Sequence, residues 1–256
     1  METKDSVQGF YDAMADFYHL IFEDWDRSIH RQADVLNDLV ARHLPGRPLH
    51  ILDCACGIGT QALGFASRGH RVVASDLSPT AVARARKEAQ VRGLEIQFHV
   101  ADMTNLSDLP AGHFDLVAAL DNALPHLGPA ALTQAIQAMA GRLNPGGLLL
   151  ASIRDYDVLL QQRPSMQPPA FFGEEASRRI VHQVWDWTEP AQYTLHLYLT
   201  LQTRNSWQTH HFVSEYRCLQ RQELSDTLRT AGFADVLWLE PAESGFYQPL
   251  VLARWP

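Results

Sequence analysis

Residues 53–59 read Asp-Cys-Ala-Cys-Gly-Ile-Gly, a stretch in which two kinds of chemistry compete. Two cysteines one residue apart suggest a metal clamp or a redox pair. Two glycines one residue apart, directly after an apolar run, suggest a loop whose backbone comes close to a nucleotide. The metal reading is weak. Structural zinc sites space their ligands by two to four residues and add a second pair, and neither His70 nor Cys218 stands at such a spacing. A small thiol following Asp53 in an apolar run packs as a hydrophobe, so Cys54 and Cys56 are expected in the core. His210 and His211 fall in a strand-like segment and point to opposite sides, with no carboxylate or cysteine at ligand spacing. No metal is expected.

Gly57 and Gly59 lie between an apolar strand pattern and a helical one, where a helix N-terminus leaves N–H groups free for a ligand. A tight turn without a ligand is the plain alternative. Gly57-x-Gly59-x-x-Ala62 also satisfies the dinucleotide fingerprint, and Asp76 lies where a ribose-binding acid belongs. Three features argue against a dinucleotide. Asp53 stands four residues before Gly57, at the loop entry. Asp102 is followed by Met103, a polar and an apolar contact for a base. The chain closes with a strand–loop–strand unit after "AGF" rather than with a second α/β half.

These residues need a scaffold, and the periodicity supplies one. "PLHILDCACG", "HRVVASDLS", "LEIQFHVADM", "HFDLVAALD" and "NPGGLLLASI" read as five buried strands. Between them lie helical patterns: "TQALGFASRG", then a run capped by Ser78 with Pro79 at its first position and Gly93 after its end, then a face of Leu132, Ile136, Met139 and Leu143. Strands alternating with helices predict a doubly wound, mostly parallel α/β sheet. After Arg154 three long strand-like segments follow with no helix between them. Tyr193, Leu195, Leu197, Leu199 and Leu201 alternate with polar residues, the mark of a half-buried antiparallel sheet. The expected organisation is a helical cap over 1–47, carrying Ala33, Leu36, Val40 and Leu44 on one face, and an α/β core over 48–164. An antiparallel insertion over 165–219 acts as a lid, and the rest of the core occupies 220–256.

Composition narrows the partners. With 256 residues, 46% of them hydrophobic and 20% charged, the chain has enough apolar surface for a real core. A formal charge of −8 disfavours nucleic acid and anionic membranes, both of which need a basic footprint. No apolar run approaches the ~20 residues of a membrane span. The acidic start, "METKDSVQGFYDAMADF", lacks the layout of a signal peptide. Three cysteines cannot staple a fold of this size, so a reducing cytoplasm is the default expectation.

Taken together, the motifs resemble those of the class I S-adenosylmethionine-dependent methyltransferases, a seven-stranded Rossmann-like family. Asp53-x-Ala55-x-Gly57-x-Gly59 is similar to the family's first motif, with Ala55 where many members have glycine. Asp76, with Leu77 beside it, resembles the acid on the ribose hydroxyls, and Asp102-Met103 the adenine contact. Within the family, "LDNALPHLGP" followed by "LLLASIRDYDVLL" resembles the glycine/sarcosine N-methyltransferase group. That resemblance implies that Leu120 and His126 touch S-adenosylmethionine, that Asn122 faces the substrate amine, and that Arg154 binds the substrate carboxylate. It further implies that Arg31 pairs with the cofactor's methionine carboxylate, and that the N-terminal aromatics Tyr11, Tyr18 and Trp25 come over the site, with Tyr18 a candidate to accept the amine's hydrogen bond.

The implied activity is methylation of a small molecule, first among them glycine, sarcosine or a similar carboxylate-bearing amine. An oxygen, sulfur or carbon acceptor, or a nicotinamide enzyme, stands as the alternative. Each residue also has a plainer role open to it. Asp76 and Asp102 would serve as solvated strand ends, Asn122 as a helix cap and His126 as a satisfied loop histidine. Arg154 would pair with Asp155 or Asp157.

Overall fold

The computed structural model describes residues 2–44, 46, 48–204 and 206–256, with backbone alone for 2–6. The start of the chain is helical: α1 (Glu2–Met14), a short 3-10 turn (Tyr18–Ile21) and α2 (Trp25–His43). Asp24 caps α2 by accepting the N–H of Arg27, and the buried face of α2 includes Ala33, Leu36 and Val40. That face packs on the core so closely that a Cβ added to Gly64 would lie 3.0 Å from the Cβ of Ala33. The N-terminal helices are therefore part of the core's packing. The expected 47/48 boundary falls at Arg47, outside the described residues.

Five strands then alternate with helices: β1 (His50–Asp53), α3 (Thr60–Ser67), β2 (Arg71–Asp76), α4 (Pro79–Val91), β3 (Ile96–Val100), β4 (Phe114–Ala119), α5 (Pro129–Ala140) and β5 (Leu143–Ser152). Ser78 caps α4 by accepting the N–H of Ala81, with Pro79 at the first helical position as its spacing predicts. Leu143 belongs to β5 rather than to the face of α5, because the helix ends at Ala140. The short α6 (Tyr156–Gln162) leads into a second sheet of β6 (Met166–Phe172), β7 (Arg179–Glu189), β8 (Gln192–Thr203) and β9 (Ser206–Arg217). The chain then returns through α7 (Arg221–Thr230), β10 (Ala234–Leu239), the single turn α8 (Pro241–Ser244) and β11 (Leu250–Arg254).

The main sheet has seven strands in the order β10-β11-β5-β4-β1-β2-β3. The five strands from β5 to β3 are parallel, while β11 runs antiparallel to β5 and β10 antiparallel to β11. Strand order reverses between β1 and β4, the switch point where open α/β sheets bind ligands beyond the strand C-termini. Asp53, Asp76, Asp121 and Arg154 all stand at or just past those termini.

The second sheet is antiparallel throughout, in the order β6-β7-β8-β9. Tyr193, Leu195, Leu197 and Leu199 turn inward from β8, each a side chain whose full burial stabilises by roughly 1.5–3 kcal/mol. Strand β6, with Pro168 and Pro169, was not among the expected elements. Prolines cannot donate to a ladder and are tolerated only on an edge strand, which is where β6 lies. Among the described residues no helix is long and apolar enough to cross a membrane.

Candidate active site

The loop from β1 to α3 forms one wall of a narrow slot. Gly57 has φ 51°, and a Cβ there would meet nothing within 4 Å, so the slot stays open at its backbone. Gly59 serves differently: at φ 98° its absent Cβ would lie 3.2 Å from the Cβ of Ala85, so this glycine lets α3 approach α4. The Asp76 carboxylate accepts the N–H of Gly57 (2.8 Å) and of Ser78 (2.9 Å), tying the loop to the end of β2. Burial raises its pKa, against those two N–H groups. Across the slot lie Asp102 and Met103, with Leu77 and Leu120 on its apolar sides and His126 beyond them. Asp102 also receives the N–H and hydroxyl of Thr104 (2.8 and 2.7 Å).

The chemistry of these walls fits an adenosyl group, with two carboxylates to accept from ribose hydroxyls and the exocyclic amino group and apolar faces for the base. The room does not yet suffice. The slot holds about 80 Å³, against ~300 Å³ or more for a typical ligand pocket. Helix α1 roofs it with Val7 and Tyr11, and is latched by Asp12, which accepts from the hydroxyl of Ser78 (2.5 Å) and the N–H of Thr80 (3.3 Å).

Asp53 lies beneath the loop rather than on the slot wall, 1% exposed. One carboxylate oxygen accepts a long bond from the N–H of Ala55 (3.4 Å), and the other, Oδ2, is buried without a partner. Burial pushes its pKa up to about 7.

A wide cavity of about 720 Å³ opens between the strand C-termini, the N-terminal helices and the inner face of the second sheet. Tyr11, Tyr18 and Asp121 line both the slot and this cavity. The Tyr11 hydroxyl lies 3.0 Å from Nε2 of His126, whose Nδ1 lies 3.2 Å from the carbonyl of Glu215. A carbonyl only accepts, so Nδ1 carries the proton and Nε2 accepts from Tyr11. Burial lowers the His126 pKa to about 4, keeping the ring neutral in this role. Tyr18 is held by ring contacts with Tyr11 and Phe22. Trp25 reaches neither space; its indole N–H bonds Thr60 (2.9 Å) under Arg84 and Arg92.

Arg154 lies on the cavity wall without an acidic partner among the described residues. The neighbouring acids Asp155 and Asp157 are both taken by Arg221, each at 2.8 Å. The guanidinium instead donates to the Tyr193 hydroxyl (2.6 Å) and sits over the rings of Trp185 and Tyr216. Asn122 also lines the cavity, but its amide is engaged: Oδ1 accepts the Arg154 N–H (2.9 Å) and Nδ2 donates to Tyr156 (3.0 Å). In this arrangement Asn122 positions the Arg154 backbone, and a ligand amine would have to share its oxygen. Arg31, exposed on α2, faces the same cavity beside Gln32. Gln61, Asp121 and Tyr247 were absent from the expected set.

The three cysteines are buried, and burial raises the pKa of each. No cluster of three or more metal-ligating side chains occurs among the described residues. Native protein treated with iodoacetamide at pH 8 should therefore stay unlabelled, because the thiolate is the nucleophile. After denaturation it should take up three equivalents, as mass spectrometry would show. Rapid native labelling of Cys54 or Cys56 would overturn their assignment to packing.

The sheet order, the glycine loop at the switch point and the acids at successive strand ends define a class I methyltransferase fold. Residues 51–147 match a family described as a methyltransferase domain. A ubiquinone biosynthesis O-methyltransferase from Xanthomonas axonopodis pv. citri is 29% identical over 178 residues, 66% of this chain and 70% of the relative. A glycine/sarcosine N-methyltransferase from Parasynechococcus marenigrum is 28% identical over 161 residues, 62% of this chain and 56% of the relative. The solved structure of an amino pentose methyltransferase from Micromonospora echinaspora superposes with a TM-score of 0.73 at 21% identity. It covers 90% of this chain and 92% of its own, and shares the fold. The protein is an S-adenosylmethionine-dependent methyltransferase acting on a small molecule.

Proposed function

We infer that the protein N-methylates a small amine that carries a carboxylate. The observation that carries this reading is Arg154, a guanidinium on the wall of the acceptor cavity whose neighbouring acids are committed elsewhere. Arginine holds a carboxylate through two parallel N–H donors, so it would fix one end of the acceptor and aim the other at the slot. Glycine and sarcosine belong to this class. A cavity of about 720 Å³ also admits far bulkier amines.

The bound cofactor supplies an electrophilic methyl group on a sulfonium. In this reading Asp76 and Asp102 hold its adenosyl part, Met103, Leu77 and Leu120 flank the base, and Arg31 meets its carboxylate. The chain's own task is positioning, since in-line displacement gains most from holding the two reactants close and aligned. The amine must be neutral when it attacks. Tyr11 is the hydrogen-bond donor to His126, so its oxygen, which also lies beside the Tyr216 hydroxyl, keeps the capacity to accept an amine N–H. Tyr18 stands beside it, open to the same role.

A screen of acceptors, each acid paired with its ester and its hydroxy analogue and read out as S-adenosylhomocysteine release, tests the reading. Equal turnover of acid and ester would sink it. Relatives named as O-methyltransferases favour a second reading, an oxygen acceptor, and preferential turnover of the hydroxy analogues would establish that one instead.

The cofactor assignment has its own check. Asp76→Ala should weaken S-adenosylhomocysteine binding about tenfold or more, the loss of a charged acceptor worth about 1.5–3 kcal/mol. An unchanged dissociation constant by calorimetry would retire Asp76 as the ribose ligand.

A further inference from the structure

Asp121 and Asn122, directly past the end of β4, adopt φ values of 56° and 65°. Side chains other than glycine rarely enter this left-handed region, and they stay there only where the surroundings enforce it. Here Ser152 enforces it: its hydroxyl accepts the N–H of Asp121 (2.8 Å) and donates to Gln248 (2.8 Å). The turn sets the Asp121 carboxylate in the wall shared by the slot and the acceptor cavity.

The two oxygens of that carboxylate face different ways. Oδ2 accepts the amide of Gln61 (2.9 Å), a residue of the slot. Oδ1 accepts the hydroxyl of Tyr247, a residue of the cavity. Both donors are neutral, and no ion pair to Asp121 occurs among the described residues. Burial raises its pKa, the sign of a carboxylate without a counter-charge. A cation arriving at Oδ1 would supply that counter-charge. Two cations come near in this reaction: the donor's own ammonium and the acceptor's. Tyr247 lines the acceptor cavity and not the slot, which points the free lone pair of Oδ1 toward the acceptor.

We propose that Asp121, through the oxygen it shares with Tyr247, binds the ammonium group of the acceptor, takes up one of its protons so that the amine attacks neutral, and thereby selects amines over alcohols. The inference deepens the amine reading given above and rests on it for the kind of group that is methylated. Combined with Arg154, it makes the acceptor a zwitterion, with its cationic end at β4 and its anionic end at β5.

The test uses small probes, so that it does not wait for the natural acceptor. Enzyme loaded with S-adenosylhomocysteine is titrated calorimetrically with benzylammonium chloride, benzyl alcohol and sodium benzoate, which differ in charge at nearly constant shape. Benzylammonium should bind at least tenfold more tightly than benzyl alcohol, as a charge-assisted hydrogen bond in a buried site provides. Asp121→Asn should erase that preference while holding the affinity for S-adenosylhomocysteine within about twofold, which also reports that the variant is folded. Tyr247→Phe, which keeps the carboxylate, should reduce the preference without abolishing it.

Wild type showing no preference, or Asp121→Asn keeping it, would overturn the proposal. So would an Asp121→Asn variant that loses affinity for S-adenosylhomocysteine but not for 5′-methylthioadenosine, since the carboxylate would then serve the donor's ammonium. Benzoate binding unchanged in Arg154→Ala would instead defeat the carboxylate anchor and leave the ammonium preference standing.

Discussion

Arg154→Ala will lower kcat/KM for an acidic amine acceptor by at least about 100-fold, since removing one partner of a buried charge pair costs about 3–5 kcal/mol. The loss falls on the acceptor because Arg154 lines the wide cavity and not the slot. Arg154→Lys keeps the charge but loses the planar fork, so it should recover only part of the activity, with KM rising more than kcat falls. Either substitution removes the guanidinium that sits over Trp185 and donates to Tyr193, so a modest drop in melting temperature is expected in both variants. Steady-state kinetics with the best acid from the acceptor screen, run beside a cofactor titration, separates the two effects. Full activity in Arg154→Ala would end the anchor assignment.

The second large effect concerns Asp53. Its pKa stands at about 7 in the folded protein and ~3.9 in an unfolded chain. Between those values the native state holds a proton that the unfolded state has released, so stability falls as pH rises from about 4 to about 7 and is flat above. About three pKa units at 1.36 kcal/mol each make this about 4 kcal/mol from one side chain. Asp53→Asn removes the titration. Urea unfolding of both proteins without cofactor at pH 4.5, 6 and 8 should show the variant gaining on wild type as pH rises. Parallel stability curves would show that Asp53 does not titrate in this range.

What the sequence revealed, and what it withheld, follows from how local each signal is. The places of Asp53, Gly57, Asp76 and Asp102 in the fold were legible because a strand end, a turn and a capped helix are written in a few adjacent residues. The position of Asp53 beneath the loop rather than on the slot wall was not. Arg154 was legible as a candidate, but its freedom was not, because the acids beside it are claimed by Arg221, 66 residues further on from Asp155. Asp121 was passed over although it sits between two named candidates, since its importance lies in Tyr247, 126 residues away. Strand β6 was hidden by Pro168 and Pro169, whose presence argues against a strand until one knows that it forms an edge. Trp25 was expected over the site on family resemblance; in the fold its indole bonds Thr60 instead.

Helix α1 has a part in both halves of the site. It covers the slot with Val7 and Tyr11, and it walls the cavity with Phe10, Tyr11 and Met14. Slot and cavity therefore share a wall. The Asp12 bonds to Ser78 and Thr80 hold that shared wall against the start of α4. One helix thus gives the two spaces a common boundary, so a substitution in α1 at Tyr11 touches both at once.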